Sequence, residues 1–150
     1  MLCRVFRPLI AAVLVLSASA AWTAGAHAQE ESLYKRMGGY DVIAAVVDDF
    51  FGRFDRDPDL MPFLGGINAA NGGRIRQNFV DFACAQTGGP CVYNGRDMKA
   101  THTGLPITDS HFDAVIRHFG AALDAQNVGA REREEFLAML RALKSIIVQG

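Results

Sequence analysis

The chain has 150 residues and a formal net charge of −1; half of its residues are apolar and only five are proline. This is enough apolar sequence for one globular core, and it is not the composition of a disordered chain. The charge is nearly balanced and no basic run stands out, which argues against a nucleic-acid partner.

Arg4 and Arg7 open the chain, residues 9–16 read L-I-A-A-V-L-V-L, and small residues follow to Ala26-His27-Ala28 before Gln29. A basic start, a short apolar run and an A-x-A site are the three parts of a secretory signal peptide. Residues 1–28 are therefore expected to be cleaved, leaving 29–150 as the domain, periplasmic or secreted. A membrane anchor is the alternative. The run is, however, far shorter than the roughly 20 residues that a spanning helix needs, and no later segment is long and apolar enough to span. Cys3 precedes the apolar run, which disfavours a lipid anchor. Cys84 and Cys91 remain after cleavage, and an oxidising compartment can close them into a disulfide. Their short loop contains Gly88-Gly89-Pro90. Two buried thiols are the other reading, since the approach of the Cα atoms to within roughly 7 Å cannot be read from sequence.

Ser32 can cap a short helix through Met37, which Gly38-Gly39 stops. Asp41 is expected to cap a second helix with Ile43, Val46, Val47, Phe50, Phe51 and Phe54 at helical spacing. Pro58 ends it within the acidic run 55–59, and residues 60–64 form a short apolar turn. Residues 65–73 are glycine- and asparagine-rich, a poor helix former expected to be mobile. A third helix is expected from about Arg74 to Thr87, with Ile75, Phe79, Phe82 and Ala83 on one face. Residues 91–104 hold the turn signal Asn94-Gly95 and a short helix ending at His102. Thr108 caps a further helix carrying Phe112, Val115, Ile116, Phe119 and Leu123, which ends at Asn127 and Gly129. A last helix carries Phe136, Leu137, Met139, Leu140, Leu143, Ile146 and Ile147 behind an acidic first turn, Glu132 to Glu135, which suits the positive end of its dipole. The whole is an all-α domain of four long and two or three short helices packed around one core.

Most catalytic patterns are absent: no G-x-S-x-G elbow, no phosphate-binding glycine loop, no paired-cysteine zinc motif and no H-E-x-x-H. His111 and His118 are seven apart on one helix, but no third ligand is placed to complete a metal site between them; solvent-facing or partly buried positions are the simpler reading. His102 differs. A haem iron needs one rigid axial donor and apolar walls, and an imidazole whose other nitrogen donates to a nearby carbonyl supplies the donor. Met98 lies on the same helical face and can pack beneath the ring. A histidine that merely packs in the core is the alternative. The phenylalanines of the second and third helices form core in the ordinary case, yet they are many for so small a domain, and a flat aromatic cofactor is one thing they could enclose.

From Ser32 to Val148 the chain resembles the group I truncated haemoglobins, small globins with a two-over-two helical sandwich enclosing a haem. The resemblance rests on S-L-Y-K-R-M-G-G at 32–39, V-V-D-D-F-F at 46–51, T-G-G-P at 87–90, Y-N-G-R-D-M-K-A-T-H at 93–102 and I-T-D-S-H-F at 107–112, in that order. It implies haem b (iron protoporphyrin IX) with His102, the histidine after M-K-x-x, as the axial ligand of the iron. It also implies a haem pocket of Phe51, Phe63, Leu64, Ile75, Phe79, Phe82, Met98, Phe112 and Val115. No residue is assigned a catalytic role.

The chain departs from the family on the far side of that haem. Where the family usually has Phe-Tyr on the second helix, this chain has Phe50-Phe51. Where it often has a glutamine on the third, this chain has Phe79, with Ile75 nearest the entrance and Phe63-Leu64 where Phe-Phe is common. Gln77 and Asn78 are the nearest polar residues on that helix. The expected function is an exported globin that reversibly binds oxygen, carbon monoxide or nitric oxide at a pentacoordinate iron in an apolar pocket. An unidentified reductase is a further partner in this reading. A haem redox enzyme (nitric oxide detoxification or weak peroxidase activity) and a cofactor-free helical interaction domain are the competing readings.

Overall fold

A computed structural model of the protein describes residues 30–148. The expected leader, residues 1–28, and its cleavage site lie outside the described residues. Among the described residues every regular element is helical: α1 (Leu33–Arg36), α2 (Tyr40–Phe54), a 3₁₀ turn (Met61–Leu64), α3 (Gly72–Gln86), α4 (Met98–His102), α5 (Asp109–Ala125), α6 (Ala130–Arg141) and α7 (Lys144–Ile147). No described helix is long and apolar enough to cross a membrane.

Local chemistry sets most of these boundaries. The Ser32 hydroxyl accepts from the Lys35 N–H at 3.4 Å and starts α1. Gly38 and Gly39, at φ +106° and +82°, stop it with a backbone that other residues adopt only under strain. Gly39, not Asp41, is the N-cap of α2. The Gly39 carbonyl already accepts from Ile43 at 3.2 Å, so the helix begins two residues earlier and Asp41 falls in its first turn. There its charge still favours the positive end of the dipole.

The glycine-asparagine loop is more organised than its composition suggests. Asn71 Oδ1 accepts from the Asn68 N–H at 2.8 Å, Asn71 Nδ2 donates to the Gly66 carbonyl at 2.7 Å, and Asn68 Oδ1 accepts from the Ala70 N–H at 2.9 Å. These bonds stand in for helix hydrogen bonds, and α3 begins at Gly72 rather than Arg74. The expected last helix is two. After Ala142 the Leu143 N–H turns back to the Leu140 carbonyl at 3.0 Å, and α7 starts afresh at Lys144. The break lets α6 pack on α1 and α5 while α7 packs against α4.

The long helices form the two-over-two sandwich. α2 pairs with α3, α5 pairs with α6, and α2 lies across α5. Ile43, Val46, Val47 and Phe50 from α2 meet Val80, Ala83 and Cys84 from α3, Phe119, Ala122 and Leu123 from α5, and Phe136 and Leu137 from α6. Phe50, only 1% exposed, stacks on Phe119 with ring centroids 3.8 Å apart and the planes 8° from parallel. Phe119 continues to Phe136 at 5.8 Å. This aromatic column is core.

The expected single face of α3 is in fact two rows. Val80, Ala83 and Cys84 are buried in the core, whereas Ile75 and Phe82 are half-buried and Phe79 is 36% exposed. At 3.6 residues per turn the two rows stand roughly 100° apart around the helix. Ala83, expected beside Phe79, belongs to the core row. The helix thus carries more apolar surface than the sandwich uses, and the surplus flanks the core.

Candidate functional site

α4 is built to present His102. Asp97 caps it, its carboxylate accepting from the Ala100 N–H at 2.8 Å. The Arg96 guanidinium donates to the Ala100 carbonyl at 2.6 Å, and the Thr103 hydroxyl donates to the Lys99 carbonyl at 2.7 Å. His102 Nδ1 lies 2.7 Å from the Met98 carbonyl oxygen. A carbonyl only accepts, so Nδ1 carries the proton and Nε2 keeps its lone pair. Met98 therefore contributes its carbonyl to the histidine; its side chain is half-buried.

The structure brings one pair of the expected pocket residues into contact and places the others on α3, the 3₁₀ turn, α4 and α5. Phe51 of α2 and Phe79 of α3 meet edge to face with centroids 5.0 Å apart. Both stand next to core residues without being buried among them. Phe82, one turn on, meets Tyr93 edge to face at 5.4 Å, which joins this row to the strand of chain leading into α4. Phe63 and Leu64 sit half-buried in the 3₁₀ turn, and the Phe63 ring meets the His111 imidazole at 5.0 Å. Phe112 is buried on α5 with the Lys144 ammonium 5.7 Å from its ring centre, and Val115 is half-buried one turn later. Large apolar side chains left partly open, together with one imidazole of defined tautomer, suit a flat apolar macrocycle with an axial nitrogen donor. These residues fit haem.

Gln77, His111 and His118 are engaged elsewhere. Gln77 donates to the Tyr40 hydroxyl and to Asp81, each at 2.9 Å. His111 completes a capping box: its N–H donates to the Thr108 hydroxyl at 3.4 Å, and its Nδ1 accepts from the Thr108 N–H at 3.2 Å. His118 Nε2 lies 2.7 Å from Asp57 Oδ2. That hydrogen bond, helped by the Asp59 N–H, holds the Asp57 carboxyl below its ordinary range. The two histidines thus serve separate ends, and no group of three His, Cys, Asp or Glu among the described residues could hold a metal ion.

Two features escaped the sequence reading. Asp57–His118 ties α5 to the loop after α2 across 61 residues, and no local pattern announces it. Tyr93 bridges Phe82 to the approach to α4, donating its hydroxyl to the Arg96 carbonyl at 2.6 Å. Burial raises its hydroxyl above the ordinary range, with Asp97 adding to the effect. Its place in Y-N-G-R was the available signal. Cys84 and Cys91 are joined by a disulfide, with their Cα atoms 5.8 Å apart.

A two-layered sandwich of paired helices with a histidine on a short helix is the architecture of a small globin. Residues 32–149 match the family model described as bacterial-like globin, and the chain belongs to that family. It is 35% identical over 123 residues to the group 1 truncated hemoglobin of Mycolicibacterium paratuberculosis, covering 82% of this chain and 88% of that one. Among solved structures, the truncated hemoglobin of Tetrahymena pyriformis in its Fe(III) form superposes with a TM-score of 0.73 at 23% identity, over 79% of this chain and 98% of that one, a likeness of fold alone. The 2/2 hemoglobin of a Synechococcus species, solved in the cyanomet state with covalently attached heme, gives 0.71 at 25% identity, over 80% and 100%.

Proposed function

We propose that this chain is an exported b-type haem protein that reversibly binds a diatomic gas, with His102 as the axial ligand and an apolar pocket on the opposite side. The observation that carries the reading is the His102 Nδ1–Met98 carbonyl bond at 2.7 Å, which leaves Nε2 free to ligate. Bound haem would supply an iron atom that takes up a diatomic gas. The protein's part is to hold and to exclude. His102 fixes the donor direction, and the Met98 carbonyl fixes its tautomer. Phe51, Ile75, Phe79 and Phe82 would keep water out and offer neither a hydrogen-bond donor nor a general base.

That last property sets the expected ligand behaviour. Oxygen gains partial negative charge when held, and a hydrogen bond to it is worth about 1–3 kcal/mol. Without one, release is faster by about 10- to 100-fold. Carbon monoxide and nitric oxide depend less on such a bond. The reading is tested by absorption spectroscopy of protein reconstituted with haem. An intense Soret band that His102→Ala abolishes or shifts to a weakly ligated form is expected, and a colourless protein after haem supplementation rejects the reading. N-terminal sequencing of the exported protein, with Gln29 expected first, tests cleavage.

A further inference from the structure

α4 is five residues long, far below the length at which a helix holds itself together in water. It packs chiefly against α7, itself a single turn. Downstream of His102, residues 103–106 are exposed. The chain that leads into α4 therefore shares with α7 the holding of the histidine.

That chain is tied at close intervals. Cys84, fully buried on the core row of α3, is bonded to Cys91. The turn between them runs so close to α3 that a Cβ on Gly89 would lie 2.6 Å from Cys84 Sγ, and the Gly89 N–H donates to the Cys84 carbonyl at 2.8 Å. Two residues beyond the bridge, Tyr93 sets its ring against Phe82 and its hydroxyl on the Arg96 carbonyl. Gly95 passes beneath that ring, where any side chain would overlap it. Arg96 and Asp97 then hold the first turn of α4. Three of these ties, the disulfide, the Gly89–Cys84 hydrogen bond and the Tyr93–Phe82 contact, reach back to α3.

We propose, resting on the haem reading above, that Cys84, Cys91 and Tyr93 are positioning residues for His102. While the bridge is closed, the approach to α4 is anchored at both Cys91 and Tyr93 and His102 stands fixed. When a phosphine reductant opens it, the S–S bond breaks and the phosphine takes the oxygen of one water molecule. That water's two protons end on the two sulfurs as thiols. The anchor at Cys91 is then gone, and the histidine holds haem less firmly.

The test uses haem-loaded ferric protein and an excess of a haem-accepting apoglobin. Haem transfer is followed for the bridged protein, for phosphine-treated protein and for C84A/C91A. Loss about tenfold faster is expected in the latter two, a change of 1.4 kcal/mol, with no added effect of phosphine on C84A/C91A. A role in stability alone would leave the iron–histidine stretching band of the ferrous protein unmoved; here it is expected to shift or broaden in C84A/C91A and in Tyr93→Leu, which involves no thiol. If C84A/C91A does not fold, phosphine-treated protein and Tyr93→Leu carry the comparison. Equal transfer rates and an unchanged band in bridged and opened protein overturn the proposal. The absence of a Soret band in every form overturns it as well, by rejecting the haem reading on which it rests.

Discussion

In the proposed reading, Phe51 and Phe79 would decide which gas this chain holds. Their rings meet at 5.0 Å, so a donor introduced on one has the other as its wall. Phe51→Tyr adds a hydroxyl to otherwise unchanged packing, and Phe79→Gln adds an amide. Each is expected to slow oxygen release by about tenfold, at 1.4 kcal/mol per tenfold, with a smaller effect on carbon monoxide. Stopped-flow displacement of each gas measures this; an oxygen release rate untouched by both substitutions removes these two residues from the gas side. At this scale the sequence was informative where function is local. M-K-A-T-H places a histidine four residues after Met98, which is the spacing that brings a helical carbonyl to Nδ1. It was silent where partners are distant, as for His118 and Asp57, because nothing near either residue specifies the other.

The helices follow from apolar spacing, and their ends from a few polar side chains. α2 buries Ile43, Val46, Val47 and Phe50, the residues whose period marked it as a helix. Its neighbour α3 was legible as a helix but not as two rows, because a periodic pattern does not tell which part of a wide apolar arc meets the core. Its start was missed because Asn68 and Asn71 act through side-chain bonds that composition alone reads as loop. The clearest end is the capping box of α5, in which His111 occupies the place usually held by Glu or Gln. Thr108→Ala removes the hydroxyl that accepts from the His111 N–H. It is expected to cost about 1 kcal/mol, within a range of about 0.5–2, read as a lower urea midpoint with an unchanged slope. A change in slope instead would mean that α5 had lost more than its cap.

Across the whole molecule, α1 closes the fold by bridging its two ends. The Tyr34 N–H donates to the Thr87 carbonyl at the end of α3, at 2.8 Å. Arg36 reaches the other way to α6, donating to Glu132 at 2.7 Å and forming a second ion pair with Glu135, partners 96 and 99 residues distant. Arg131 also holds Glu135, at 2.9 Å. No spacing rule in the sequence pairs Arg36 with these acids; the fold does. The Arg36 hydrogen bond, with Arg131 in support, holds the Glu135 carboxyl below the ordinary glutamate range against the opposing effect of burial. A carboxyl depressed in the folded state stabilises it fully above the unfolded value, about 4.3. That contribution is lost as pH falls through the lower folded value. Arg36→Met removes the cause. It is expected to lower the urea midpoint at neutral pH, and the gap from the unaltered protein should start to close as the pH drops below the unfolded value of about 4.3 and vanish only below the lower folded value. Urea titrations followed by circular dichroism at neutral and acid pH make the comparison. A gap that stays constant across that range would mean that Arg36 stabilises the fold through the packing of its stem rather than through its charge.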